Sequence, residues 1–320
     1  MANKDKVCIV GAGFYGLMLA DFLSDKYEVE IFEQAPDVMT KGSHLCQMRI
    51  HSGMMYPRNM KTALSCIHTF KPFMLKFRQA IVHDFTSVYA IARDSKTPAK
   101  EYLEVQRSLG QSFITVKNEI FNPELISTVV ACKEYTFDPL KIKQILLDRL
   151  KKKKVIIHKN CKITDLHLDY YRVFNCTYAE INNLLAASNL PLVPELQIKQ
   201  YEKIYYTDNL GRYAICVVDG DYFTTMCTVS DEKTLTASEL SITHNSVSRY
   251  PEVFARVKKF IPSIKLYYLR SEFGNKAILQ SSDNQNRYCN IFKHSDNIYS
   301  ILGGKVTNVF DMFDELKHIV

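Results

Sequence analysis

The sequence has no apolar run long enough to cross a membrane and no low-complexity segment. A membrane-spanning helix needs about 20 consecutive apolar residues. The first residues, MANKDK, lead directly into a strand-like segment and lack the apolar region of a secretory signal peptide. We therefore expect a soluble, cytoplasmic protein, and 320 residues are enough to bury a substantial core.

The sequence also lacks any CxxC pair and any His/Cys cluster at metal-ligand spacing. Its nine cysteines therefore predict neither a disulfide framework nor a metal site. Cys8 and Cys216 lie in apolar, strand-like runs, where a thiol serves as a small buried apolar group. This use of cysteine is typical of the reducing cytosol.

No arginine-rich stripe with interleaved aromatic residues is present, although the formal net charge is +7. The basic block Lys151–Lys154 follows a helical pattern, PLKIKQILLDRL, and lysines there favour the negative pole of the helix dipole. We therefore expect no nucleic-acid partner.

What the sequence does contain begins with KVCIVGAGFYGLMLADFLSDKYEVEIFEQ, Lys6 to Gln34, which reads as strand, glycine turn, helix and strand. Gly11 permits the tight turn, Gly13 lets the backbone approach a pyrophosphate, and Gly16 lets the helix pack closely on the strand. Glu33 ends the second strand about 20 residues later, where an acid accepts hydrogen bonds from ribose hydroxyls. The segment predicts a dinucleotide site and fits NAD and FAD equally.

A second stretch, CQMRIHSGMMYPRN (Cys46 to Asn59), favours FAD. With the residues before it, the stretch resembles the segment after the second strand in the D-amino-acid-oxidase-like flavoproteins. It is more similar still to a branch of that family associated with bacterial surface-polysaccharide genes. The resemblance implies FAD as cofactor and a segment that runs along the flavin. The residues it assigns to the cofactor, with those of the first turn, are Gly11, Gly13, Phe14, Tyr15, Gly16, Glu33, Gln34, Ser43, His44, Gln47, Met48 and Arg49.

Two further segments are similar to this family. Asn175-Cys176-Thr177 match its second turn near the dinucleotide, which assigns Thr177 to the cofactor, but Tyr178 stands where glycine is usual. The C-terminal Gly303-Gly304-Lys305 matches a turn whose backbone approaches the flavin and whose lysine complements negative charge on it. The likeness covers essentially all 320 residues.

The resemblance implies an α/β fold: a Rossmann-like FAD-binding domain of the glutathione-reductase type with an inserted antiparallel β-rich substrate domain. We assign residues 1–80, 135–190 and 291–320 to the FAD-binding domain. Residues 81–134 and 191–290 form the substrate or lid domain, where β-rich runs alternate with Asp-Gly and Asp-Asn turns.

The family implies an FAD-dependent oxidoreductase that takes a hydride from a C–H next to an amine or hydroxyl and delivers it to flavin N5. The substrate would be a small polar molecule such as an amino or hydroxy sugar derivative or acid. A flavin-dependent sugar-nucleotide isomerase, similar to UDP-galactopyranose mutase, is an alternative. A second alternative is a non-catalytic flavin-fold protein whose role is binding or the assembly of a complex.

The candidate catalytic residues are His51, Tyr56, Arg58 and Arg287. His51 follows the flavin segment and would act as acid/base or bond to the flavin ring, unless it is a structural histidine. Arg58 and Arg287 would anchor the substrate, because the fork of an arginine binds a carboxylate or phosphate at two points. The alternative role is a structural ion pair for Arg58 and a loop-stabilising contact for Arg287. Arg270 and Lys276 rank lower, and the resemblance implies that His244 looks into the substrate cavity. Cys46, His44 and Cys289 are the candidates for a covalent flavin link.

Overall fold

The structure is a computed structural model, and it describes residues 4–220, 222–229, 232–237, 247–280 and 288–320. Arg287 and His244 lie outside these residues. Within the described part, no helix has both the length and the apolar character needed to cross a bilayer.

The described residues form strands in both halves of the chain, and helices separate some of them. The strands are β1 (Lys6–Val10), β2 (Glu28–Phe32), β3 (Arg49–Ile50), β4 (Ile81–Val82), β5 (Ser87–Ala92), β6 (Phe113–Thr115), β7 (Ile126–Cys132), β8 (Tyr135–Phe137), β9 (Ile156–His158), β10 (Arg172–Asn175), β11 (Leu196–Thr207), β12 (Ala214–Asp219), β13 (Tyr222–Val229), β14 (Glu232–Ala237), β15 (Tyr267–Leu279), β16 (Asn290–Lys293) and β17 (Ile298–Leu302). The helices are α1 (Phe14–Leu23), α2 (Gly42–Leu45), α3 (Met60–Lys76), α4 (Ala99–Ser108), α5 (Pro139–Lys152), α6 (Ile181–Ala187), α7 (Tyr250–Phe260) and α8 (Val309–Leu316), with 3₁₀ turns at Arg78–Ala80 and Tyr178–Glu180.

One sheet is built from both ends of the chain. Its described strands run in the order β16-β17-β10-β1-β2-β9, all neighbours being parallel except β16 and β17. Parallel strands need helices on both faces, and here the central strand β1 has four buried residues in five. The carboxyl ends of β1, β10 and β17 therefore meet at one edge, where ligands bind in open α/β sheets.

A second sheet has the order β15-β11-β14-β13-β12-β5-β7-β6 and is antiparallel except between β12 and β5. Its core packs against α7, whose buried face includes Val253, Phe254, Val257 and Phe260. A small third sheet, β3-β8-β4, joins the segment after α2 to the chain that follows β7. The predicted mixed α/β architecture with an antiparallel sheet is confirmed.

Helix α1 is held in place by one buried carboxylate. Asp21 is 3% exposed, and its oxygens lie 2.6 Å from Lys76 Nζ of α3, 3.2 Å from Arg149 Nε of α5 and 3.2 Å from Lys153 Nζ. Burial alone would raise the pKa of Asp21, but the hydrogen bond and charge of Lys76, with the other two cations, lower it. The carboxylate thus stays ionised and fixes α1 between two helices.

The backbone of α1 at Gly16 lies in direct contact with the backbone of the glycine turn before it. A Cβ on Gly16 would lie 2.0 Å from the carbonyl oxygen of Gly11, so any side chain would push α1 away from the turn. At Gly211, in contrast, no heavy atom lies within 4 Å of an added Cβ.

We predict that Gly16→Ala lowers the free energy of unfolding by about 1–3 kcal/mol, because backbone atoms must shift to admit the methyl group. The matched variant Gly211→Ala should change it by less than about 0.5 kcal/mol. Urea unfolding followed by circular dichroism measures both, and equal midpoints for the two variants would contradict the assigned packing.

Candidate cofactor and active site

A large cavity opens at the carboxyl edge of the first sheet and extends to β11 and β15 of the second. Its volume is about 1220 Å³. Pockets for drug-sized molecules are about 300–1,000 Å³, so this one has room for a dinucleotide and a small substrate. The sequence-predicted site residues that line it are Gly11, Gly13, Phe14, Tyr15, Glu33, Gln34, Ser43, Gln47, Met48, Arg49, His51, Tyr56, Arg58, Thr177, Gly303, Gly304 and Lys305.

The glycine turn forms one end of this wall. Gly11 has φ +104°, which glycine adopts readily, and a Cβ there would lie 2.9 Å from the Cys176 carbonyl oxygen. Glu33 accepts hydrogen bonds from the backbone N–H groups of Ala12 and Ala35, each at 2.8 Å. The acid that sequence analysis assigned to a ribose thus also braces the turn against the end of β2.

The first turn of α1 is joined to two later segments. Ser43 Oγ, on α2, accepts the Phe14 N–H at 2.8 Å. The Tyr15 hydroxyl donates to the Lys305 carbonyl oxygen at 2.6 Å, and a Cβ on Gly303 would come within 2.1 Å of the Tyr15 ring. The N-terminal and C-terminal turns therefore form one continuous wall, which requires glycine at position 303.

A buried carboxylate organises the flavin segment from behind. The Glu134 side chain has 0% exposure and accepts hydrogen bonds from Arg49 Nη2 (3.1 Å), Ser52 N (2.7 Å) and Tyr89 Oη (2.7 Å). Nδ1 of His51 lies 3.3 Å from the same carboxylate. Since an ionised carboxylate only accepts hydrogen bonds, Nδ1 carries the proton, and Nε2 is the atom that can accept another.

The protonation states of this group follow from burial and charge. Burial, reinforced by the positive charge of Lys305, lowers the pKa of His51 to about 4 although Glu134 acts in the opposite direction. Burial would raise the pKa of Glu134, but His51, Arg49 and Tyr89 outweigh it and bring the pKa to about 2. At neutral pH the arrangement is a neutral imidazole beside a carboxylate that Arg49 compensates.

Several buried polar atoms of the cavity wall lack a hydrogen-bond partner among the described residues. They are Gln47 Oε1, Arg49 Nε and Arg49 Nη1. Such atoms cost free energy unless a ligand or water satisfies them. Gln47 and Arg49 both line the cavity, and these three atoms are themselves almost inaccessible to solvent. The glycine turn and the cavity volume fit a bound dinucleotide.

The charge of the cavity wall also fits a dinucleotide. Among the described lining residues, cations outnumber acids: the cations are Lys41, Arg49, Arg58, Lys96, Lys162, Lys199, Lys276 and Lys305, and the acids are Glu33 and Glu180. A cleft of one sign concentrates ligands of the other sign. The cavity therefore favours an anionic cofactor such as a dinucleotide diphosphate.

Some predicted site residues lie elsewhere. Gly16 packs behind the turn, and the His44 imidazole lies 3.3 Å from the Glu272 carboxylate, so neither lines the cavity. Arg270 pairs with Glu232 at 2.8 Å and is likewise absent from the wall. Lys276 does line it.

Of the three candidates for covalent attachment, only Cys46, the first residue of the segment Cys46–Asn59, lines the cavity. Burial raises the pKa of both the Cys46 and the Cys289 thiols, which disfavours their thiolate forms.

Sequence reasoning did not identify Glu134 or Tyr89. Glu134 is a lone acid between the apolar strands β7 and β8, a pattern that signals a buried charge but not its partner. Its partners Arg49 and His51 are distant in sequence, and only the pairing of β3 with β8 brings them together.

We predict that Glu134→Gln lowers the free energy of unfolding by about 3–5 kcal/mol, because it leaves the buried charge of Arg49 uncompensated. Glu252→Gln is the matched control, because it breaks an ion pair with Arg249 in which the Glu252 side chain is 67% exposed. It should lower the free energy of unfolding by less than about 1 kcal/mol. Chemical unfolding at neutral pH tests both.

The pH dependence gives a second readout of the same variant. Because the folded-state pKa of Glu134 lies below its ordinary value of 4.5, the carboxylate stabilises the fold above that pH. This contribution is lost as the pH falls from 4.5 toward 2. The difference in stability between wild type and Glu134→Gln should therefore shrink in that window. A difference that stays constant would contradict the assignment.

Residues 6–270 match the family described as FAD dependent oxidoreductase (DAO). Solved structures share the fold. Glycine oxidase from Geobacillus kaustophilus superposes with a TM-score of 0.78 at 12% identity, covering 99% of this chain and 95% of that one. L-α-glycerophosphate oxidase from Mycoplasma pneumoniae, with FAD bound, gives 0.75 at 16% identity, covering 99% and 94%.

Among curated proteins, the FAD-dependent monooxygenase kojA of Aspergillus flavus is 33% identical over 91 residues. The match covers 28% of this chain and 21% of that protein, so the chain spans about a fifth of the length of the curated relative. The likeness to D-amino-acid-oxidase-like flavoproteins predicted from the sequence is confirmed, while the surface-polysaccharide branch stays a prediction. The residues that match the family, 6–270, span most of the 320-residue chain. The chain therefore belongs to the FAD-dependent oxidoreductase family, and FAD is its cofactor.

Proposed function

We propose that the protein oxidises a small polar substrate at a carbon that bears an amine or a hydroxyl group. FAD, when bound, would supply the acceptor for the hydride of that C–H, and Nε2 of His51 would take the proton of the N–H or O–H. The substrate loses two electrons and becomes an imine or a carbonyl compound. The observation that carries this proposal is the neutral, oriented imidazole of His51 in the cavity wall.

The histidine has the protonation state and the orientation that a base needs. Its Nδ1 is committed to Glu134, its pKa of about 4 keeps it unprotonated at neutral pH, and it lines the cavity. A base must be within hydrogen-bond reach of the proton it removes, and a fixed tautomer presents the lone pair in one direction. Glu134 acts through His51 and is a positioning residue.

The remaining residues orient the partners and balance charge. FAD, when bound, supplies the electron acceptor, and the protein supplies geometry and electrostatics. Gln47 and Arg49 line the cavity, carry buried polar atoms that have no described hydrogen-bond partner, and would hold the cofactor there. Lys305 Nζ lies 5.1 Å from the centroid of the Tyr56 ring, which places a cation beside both the Gly303–Gly304 turn and an aromatic wall residue.

The substrate class follows from the same wall. Arg58 is exposed at the cavity and follows Tyr56, which is buried. The excess of lining cations favours a substrate with a carboxylate or another anionic group, which Arg58 would bind through two parallel hydrogen bonds. We propose an amino or hydroxy acid, or an acidic sugar derivative. The free thiols of all nine cysteines accord with a cytosolic location for this reaction.

The test is an anaerobic panel of amines, amino acids, hydroxy acids and sugar acids mixed with the FAD-loaded protein. We expect one class to bleach the flavin absorbance near roughly 450 nm, the signature of two-electron reduction of the cofactor. Retained FAD with no bleaching by any class, including chemically reactive amino acids, would favour the non-catalytic alternative. Isomerisation of a sugar nucleotide only after prior flavin reduction would favour the isomerase.

We predict that His51→Gln slows flavin reduction by the active substrate about 10²–10⁴-fold, the usual contribution of a positioned base. FAD content should be unchanged, because glutamine keeps a polar group beside Glu134. His318→Gln, at an exposed position outside the cavity wall, is the control and should reduce at the wild-type rate.

The pH profile of flavin reduction reports the pKa of the catalytic base. Since the pKa of His51 is lowered to about 4, the imidazole accepts a proton above that pH and loses this ability below it. The wild-type rate of reduction should show no acid limb near the ordinary histidine value of about 6.5. A limb at that value would contradict the lowered pKa of His51, and a His51→Gln enzyme with the wild-type rate would remove His51 from the reaction.

A further inference from the structure

Tyr178 holds a backbone conformation that a bulky residue rarely adopts. Its φ is +59°, in the left-handed region, at the first residue of the 3₁₀ turn that follows β10. Strain of this kind persists only where the surroundings enforce it, and it is concentrated at functional sites. The question is which contacts enforce it and what the side chain does there.

The buried side chain of Asn175 fixes the turn on both sides of Tyr178. Its Oδ1 accepts hydrogen bonds from the Thr177 N–H at 3.2 Å and the Thr177 hydroxyl at 2.6 Å. Its Nδ2 donates to the Ile181 carbonyl oxygen at 3.4 Å. Asn175 has 0% exposure, so these bonds do not compete with water. The conformation of Tyr178 is thus imposed by the end of β10 and the start of α6.

The turn places Tyr178 directly beside the glycine turn. A Cβ on Gly11 would lie 2.9 Å from the Cys176 carbonyl oxygen and 3.3 Å from the Thr177 nitrogen, so the two backbones are in contact. On the other side, a Cβ on Gly42 would lie 3.2 Å from both Cδ1 and Cε1 of the Tyr178 ring. The ring therefore reaches from the end of β10 to α2.

Gly42 makes room for this ring at the point where α2 meets the first turn of α1. The neighbouring Ser43 accepts the Phe14 N–H, so the ring, α2 and the glycine turn surround the same part of the cavity. Gly42 and Tyr178 both line it, and Tyr178 keeps intermediate exposure. The side chain is therefore part of the cavity wall and not of the closed core.

We propose that Tyr178 retains the cofactor, its ring closing over the place at the glycine turn where the diphosphate of FAD binds. A glycine turn at a helix N-terminus binds such a diphosphate through backbone N–H groups. FAD would then leave only when the ring moves away from Gly42. The proposal rests on FAD lying along this cavity and not on the reaction proposed above, so it is tested by binding alone.

The test separates the ring from the backbone strain. Tyr178→Ala removes the ring and keeps a side chain at positive φ, whereas Tyr178→Gly removes both. FAD fluorescence and stopped-flow release should show about tenfold weaker binding and faster release in both variants, the size of one lost aromatic contact. The apoprotein of Tyr178→Gly should melt about 2 °C above that of Tyr178→Ala, because glycine tolerates positive φ. Tyr178→Phe keeps the ring and should bind FAD like wild type.

Lys154→Gly is the matched control for relief of strain. Lys154 has the same φ of +59° but is exposed at the end of α5, away from the cavity wall. This variant should leave FAD affinity and release unchanged. Affinity within roughly twofold of wild type in both Tyr178→Ala and Tyr178→Gly would overturn the proposal. Tighter binding would also overturn it, since the ring would then obstruct the cofactor.

Discussion

The carboxylate of Glu134 is the group on which the active-site side of the molecule depends. It has no exposure, and it binds residues from two separate parts of the fold: the segment of Arg49, His51 and Ser52 at β3, and Tyr89 on β5 of the second sheet. A buried charge costs several kcal/mol unless it is paired and hydrogen-bonded, so these contacts must form together. The flavin segment is thereby fixed to the second sheet before any ligand binds.

Features set by local sequence could be predicted, and features set by distant pairing could not. The strand, glycine turn and helix at the N-terminus follow from a pattern within a few residues, and the cap of α5 by Asp138, which accepts from the Leu140 and Lys141 N–H groups, is equally local. Glu134 gave only the signal of an acid among apolar strands. Its role depends on the register of β3 and β8, which no local pattern specifies. The domain boundaries and the role of each site residue stay predictions.

The backbone conformation of the cavity wall could not be predicted from local sequence patterns either. Met39, Met48 and Tyr178 line the cavity, and each has a positive φ, between 55° and 59°. Non-glycine residues in this region are strained by roughly 1–2 kcal/mol each. Their position beside the proposed FAD path means that the wall is held in shape by its hydrogen bonds and packing. A wall fixed in advance loses less freedom when the cofactor binds, which favours affinity.

The relation between Glu134 and His51 explains how a histidine can be oriented by an acid and still remain neutral. A carboxylate at 3.3 Å favours the imidazolium form and would by itself raise the pKa of His51. Two effects oppose it: burial disfavours any charge on the ring, and the cations Lys305 and Arg49 repel a further positive charge. Arg49 therefore has two functions, because it compensates Glu134 and also keeps His51 unprotonated. Removal of Arg49 would leave an oriented histidine that is more easily protonated, so a smaller fraction of it would be the neutral base at a given acidic pH.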